Sequence, residues 1–160
     1  MSNTLSALAL VISAGSLYVS YLAWRQAGSD RRLRLRQSAR ELGLLLDDAI
    51  ATLGRARQSR PRVLAMEGLA LSGNARVFEQ EATTDDTELR RLRDKATADF
   101  GEIDPAISDT ELESKLVDAY GMKARAEQIR AKYVAALAED DQKRAARRRE
   151  VADQVNRSRS

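Results

Sequence analysis

The chain has 160 residues, of which 32% are charged and 4% aromatic, with a formal net charge of +3 and neither histidine nor cysteine. Zinc sites with nitrogen or sulfur ligands, haem ligation, thiol nucleophiles and histidine acid–base chemistry are therefore excluded. So few rings also argue against a broad globular core, since aromatic side chains supply much of such a core's buried area; narrow leucine and alanine seams remain as the means of packing.

Residues 5–24, from Leu5 to Trp24, carry no charge, and Arg25, Arg31, Arg32, Arg34, Arg36 and Arg40 follow. At ~1.5 Å per residue the run covers roughly 30 Å, the hydrocarbon thickness of a bilayer. It is longer than the ~7–15 residues of a cleavable signal core, and no basic residue precedes it, so a retained transmembrane helix is expected over 5–24. The arginine excess places the C-terminal side in the cytoplasm and residues 1–4 outside, in the cell (inner or plasma) membrane. Tyr18, Tyr21, Trp24, Arg25, Arg31 and Arg32 form the expected membrane interface, with rings in the headgroup layer and guanidiniums beyond it. No acyl or prenyl anchor is expected beside the helix. Ser6, Ala9, Ser13, Ser16, Ser20 and Ala23 recur by threes and fours, and because small residues let helices approach closely in lipid, this seam predicts self-association of the span.

Beyond the run the expected fold class is all-α: one N-terminal transmembrane helix, then an elongated, coiled-coil-like cytoplasmic region over 25–142, with helices at 31–58, 61–72, 86–103 and 109–150. Gly28-Ser29-Asp30 reads as a short break. Leu35, Ala39, Leu42, Leu46, Ala49, Leu53 and Ala56 then repeat by four and three, a narrow seam that wants a partner helix. Gly54 marks a candidate end of that helix, and Ser59-Arg60-Pro61 a fresh start, since proline suits a first turn and serine a cap. The short helix that follows is expected to stop at Gly73-Asn74. Periodicity is weak from Ala75 to Thr84.

Asp85 with Glu88 has the spacing of a capping box opening a helix whose inner face is Leu89, Leu92, Ala96 and Phe100, and Asp104-Pro105 is a natural stop. Ser108 with Glu111 forms a second box, ahead of Leu112, Leu116, Ala119, Met122, Ala126, Ile129, Tyr133 and Leu137. This last helix is long enough to run back along the Leu35 to Ala56 stem, which would return its end toward the membrane. Residues 143–160 are a basic tail, expected to be partly disordered, in which Arg144, Arg147, Arg148 and Arg149 are candidate contacts for a polyanion. Charge falls in blocks: ten basic against four acidic residues in 25–62, ten against eighteen in 63–142, seven against two in 143–160.

The carboxylate clusters at Asp47-Asp48, Asp85-Asp86, Asp109 with Glu111 and Glu113, and Glu139-Asp140-Asp141 read as caps or solvated faces. A hard cation needs six or more oxygens arranged by a loop, and no segment has that spacing. Gly68 and Gly73 have the glycine spacing of a phosphate-binding loop, but Asn74-Ala75 stand where lysine and serine or threonine are required. No catalytic, cofactor-binding or metal-binding residue is expected, no cofactor, no small-molecule substrate and no enzymatic activity. The opening run followed by Trp24-Arg25-Gln26 and an arginine-rich helix resembles, over residues 1–50, small bacterial single-span proteins. That resemblance implies location only. The expected function is a membrane-anchored helical interaction or scaffold protein whose partners are the bilayer and a second copy or another helical protein. The alternative is a membrane-tethered binder of anionic lipid or nucleic acid through the basic tail.

Overall fold

The computed structural model describes residues 2–70, 72–102, 104 and 107–158, with side chains described for Tyr18, Ser20, Tyr21 and from Ser29 onward. Three helices make up the described chain: α1 Ser2–Met66, α2 Gly73–Phe100 and α3 Asp109–Ser158. The fold is all-α, and no strand occurs among the described residues.

Partner pairs give the topology. Arg31 meets Asp109, Glu41 meets Lys123, Asp48 meets Arg130, and Glu67 meets Lys143, so α1 and α3 run parallel. Asp47 meets Arg93 while Arg57 meets Glu79, so α2 runs against α1. The result is an up-down-up bundle with α1 as the helix on which the other two pack. The return of the last helix toward the N-terminal end is thus corrected. α3 does lie along the Leu35 to Ala56 stem, but it points away from the opening run, because α2 has already made the return.

The seams on α1 and α3 are where the spacing predicts them. Leu35, Leu42, Leu46, Ala49, Leu53 and Ala56 are buried on α1, and Leu112, Ala119, Met122, Ala126, Ile129 and Tyr133 on α3. Strict sevens run through both, 35-42-49-56-63 and 112-119-126-133-140, the repeat of helices packed nearly parallel. On α2 Leu89, Leu92 and Phe100 face inward as expected, and Ala82 joins them.

Helix boundaries need more correction. Gly28-Ser29-Asp30 is no break, since α1 passes through it: one glycine costs only ~1 kcal/mol relative to alanine. Nor does α1 end at Gly54 or restart at Pro61. The inward face continues through Ala56, Ser59, Val63 and Leu64, and burying the last two stabilises by about 1.5–3 kcal/mol each, enough to offset the ~3 kcal/mol penalty of an internal proline. The separate helix at 61–72 does not exist.

α1 stops instead at Gly68, whose φ of 74° is the left-handed conformation that glycine adopts without strain. The Leu69 N–H donates to Leu64 O at 2.7 Å and the Gly68 N–H to Ala65 O at 3.1 Å, which is the Schellman pattern. Gly73 opens α2 rather than closing its predecessor, with Ser72 as cap accepting from the Ala75 N–H. The weakly periodic stretch is therefore the first half of α2, and Asp85 and Glu88 lie mid-helix. α2 ends at Phe100, before Asp104. Ser108 caps α3, its Oγ accepting from the Glu111 N–H at 3.3 Å, and buried Ile107 and Leu112 bracket the cap as a hydrophobic staple. The tail expected to be partly disordered is helical through Ser158, continued by pairs such as Arg147–Glu150 at 3.0 Å.

Two leucines within one turn of α1, on opposite faces, test this packing. Leu42 is 0% exposed and Leu44 is 72% exposed. Leu42→Ala should lower unfolding free energy by about 2–5 kcal/mol, whereas Leu44→Ala should change it by less than ~0.5 kcal/mol. Denaturant titration followed by circular dichroism reads the difference, and equal effects would refute the assigned faces.

Candidate functional site: a polar layer across three helices

At the end of the bundle remote from the opening run, the α3 heptad places a carboxylate where an apolar side chain is due. Asp140 is 0% exposed. Its Oδ2 accepts from Ser59 Oγ at 2.8 Å and its Oδ1 from Arg60 Nη1 at 2.7 Å. Arg144 Nη2 donates to the same Ser59 oxygen at 2.8 Å, and Arg60 also reaches Glu139 at 3.1 Å. A lone buried carboxylate is costly, and two donors with a guanidinium in contact are what make this one tolerable.

The layer extends to α2 through aromatic faces. The Arg60 guanidinium lies 5.9 Å from the centre of the Phe78 ring, and Phe78 meets Tyr133 edge-on at 6.2 Å. Tyr133 donates its hydroxyl to Asp85 Oδ2 at 2.7 Å, where Lys132 also arrives at 2.9 Å while reaching Glu81 at 2.8 Å. Nearby, Arg57 of α1 donates to Thr83 and pairs with Glu79 and Asp86, with its Nε buried and unpartnered. Carboxylates from α2 and α3 are thus answered by cations of a neighbouring helix. The carboxylates of this layer are each engaged by a hydrogen bond or an ion pair.

These contacts shift ionisation. Glu41, Glu88 and Glu139 are held below the ordinary carboxylate value of 4.5, by Lys123, by Arg125, and by Lys143 together with Arg60. Burial and the bond to Asp85 push the Tyr133 hydroxyl up. Burial lowers Lys132, but the bonds to Glu81 and Asp85 outweigh it and the net shift is upward. A lowered folded-state pKa gives stability that is complete above the unfolded value and lost as pH falls through the folded one. A raised value gives stability complete below the unfolded value and lost as pH rises. The melting temperature should accordingly be level between about pH 5 and pH 9.5 and fall on both sides. Tyr133→Phe should blunt the alkaline fall. Thermal melts across pH check this, and an unchanged melting temperature at both extremes would count against the pairings.

Other sequence-predicted residues are distributed unevenly. Tyr18, Ser20 and Tyr21 are exposed, while Ser6, Ala9, Ser13, Ser16, Ala23, Trp24 and Arg25 have side chains outside the described residues. Among the described residues no helix is long and apolar enough to cross a membrane. All but three side chains of the run 5–24 lie outside them. Arg31 is turned across the bundle to Asp109 and Glu113, and Arg32 is half-buried. Of the proposed polyanion contacts, Arg144 is tied to Ser59 and Asp141 and Arg147 to Glu150, whereas Arg148 and Arg149 are exposed. Among the described residues no acidic group has the arrangement of a metal site.

Many carboxylates read from sequence as caps or solvated faces, Asp85, Glu88 and Asp140 among them, are cross-helix partners instead. For Asp140 a signal existed: counting sevens from Leu112 lands on it. For Asp85 and Glu88 the capping-box spacing concealed their role. The chain matches no protein-family model, no curated protein and no solved structure.

Proposed function

We propose that the chain is a single-pass anchor in the cell membrane, N-terminus outside, that holds a helical rod in the cytoplasm as an interaction scaffold and associates with a second copy along its span. The observation that carries this reading is the continuity of α1 from Ser2 to Met66: one helix contains the uncharged run and the core of the bundle. A flexible linker would allow the bundle any orientation, whereas a continuous helix holds it at a set distance and direction from the run. The uncharged twenty residues, the aromatic girdle and the arginine flank support lipid as the environment of that run. The small-residue stripe supports pairing.

Washing membranes with alkaline carbonate tests the anchor. Full-length protein should stay in the pellet, and a Leu10→Lys, Ile12→Lys variant should move to the supernatant. Wild-type protein in the supernatant would overturn the reading. Because the chain has no cysteine, Ser13→Cys supplies a single reporter for pairing; oxidation in membranes should yield a disulfide-linked dimer, and none would remove the seam.

A further inference from the structure

The polar layer is not the only concave or charged feature of the bundle. Toward the opposite end, α1 and α2 line a groove of about 610 Å³, within the ~300–1,000 Å³ of small-molecule sites. Arg36 and Arg40 stand one turn apart on the α1 wall and Arg93 on the α2 wall, which Phe100 also lines. One carboxylate, Asp47, lies among them, 3.3 Å from Arg93. The groove therefore holds two guanidinium charges beyond what its own carboxylate balances. Like charges four residues apart on a helix destabilise it, so intrahelical stability does not account for the Arg36 and Arg40 pair.

Gly43 lies on the same wall one turn further on. A Cβ built there would meet nothing within 4 Å, so neither crowding nor backbone conformation requires glycine. Any other side chain except proline's would favour the helix and reach into the groove. The position trades helix propensity for open space.

We propose that this groove binds a small soluble dianion with a flat apolar body, the chemistry of an aryl phosphate. Guanidinium forks match phosphate oxygens in pairs, and Leu46, Ala96 and Phe100 in the lining offer the body an apolar contact. Arg36 and Arg40 lie ~18–24 Å along α1 beyond Trp24, at ~1.5 Å per residue, past a headgroup layer ~5–8 Å deep on each side. The ligand is thus taken from solution and not from the bilayer to which the chain is anchored.

The test titrates 2-naphthyl phosphate into the full chain in phosphatidylcholine nanodiscs, or in plain buffer should the chain prove freely dispersed, so that the outcome does not hang on the anchor. Inorganic phosphate, 2-naphthol and empty discs are the controls. Naphthyl phosphate should bind saturably and at least tenfold more tightly than either fragment. Arg36→Gln with Arg40→Gln should weaken it at least tenfold. Asp47→Asn, which releases Arg93, should tighten it severalfold. Gly43→Leu should abolish binding without lowering the melting temperature. Binding no better than to empty discs, equal affinity for inorganic phosphate, or indifference to Gly43→Leu in a folded variant would each overturn the proposal.

Discussion

Replacing Asp140 by alanine should cost the protein about 2–4 kcal/mol of unfolding free energy, out of a total on the order of 5–15 kcal/mol for a domain. Removing it leaves Ser59 Oγ and the Arg60 guanidinium without their buried acceptor, and the one carboxylate Arg60 still reaches is Glu139, at 3.1 Å on the rim. Breaking one side of a buried pair costs more than the pair contributes, because the survivor remains desolvated. Asp141→Ala is the control one residue away. Asp141 pairs with Arg144 at 3.0 Å but is 76% exposed, so its loss should stay within ~0.5 kcal/mol. The combined variant Ser59→Ala, Arg60→Met, Asp140→Leu removes Asp140 together with both of its hydrogen-bond donors and should recover most of the stability lost in Asp140→Ala, since apolar residues of similar volume replace buried ion pairs at little cost. Denaturant titration of the three variants separates the outcomes. If Asp140→Ala and Asp141→Ala proved alike, the assignment of Asp140 to the core would be wrong.

The same residue shows where sequence and structure part company. The faces of α1 and α3 were legible because burial imposes a repeat that leucine and alanine obey, and each buried position repeats the message. Asp140 obeys the repeat in place but not in type, and its identity becomes intelligible only when Ser59 and Arg60, 81 and 80 residues away in the chain, come alongside. Helix ends were less legible for a related reason. Gly54 and Pro61 carry local stop signals that are overridden by the burial of Val63 and Leu64, which are tertiary contacts. Ser108, whose cap operates within one turn, was read correctly. Gly68, whose turn closes α1, shows in the sequence only through its spacing to Gly73, because a Schellman stop depends on the conformation of one residue and leaves no periodic trace. The groove residues Arg36, Arg40 and Arg93 were visible only as arginines, since two of them belong to α1 and the third to a helix that returns beside it.

Direction, which no periodicity encodes, gives the second large effect. Spin labels on cysteines introduced at Ser29 and Ala146 should lie about 55–65 Å apart: Lys143 stands beside Glu67, nearly forty residues along α1 from Ser29, at ~1.5 Å each. A final helix running back to the opening run would instead bring the two labels within ~25 Å, so a short distance would refute the parallel arrangement of α1 and α3. The long distance has a functional consequence. With the run in lipid, Arg148 and Arg149 stand tens of ångströms from the bilayer, several times the ~8 Å Debye length at physiological ionic strength. At that range the tail gains nothing from anionic headgroups of its own membrane. Any polyanion it holds must come from solution or from an opposing surface, and the rod between anchor and tail then acts as a spacer. Vesicles carrying the reconstituted full chain should therefore show the same tail mobility with or without anionic lipid, while adding a soluble polyanion should slow a label at Ala152. Immobilisation of that label by anionic lipid in the host vesicle alone would mean that the tail folds back, and the spacer reading would fail.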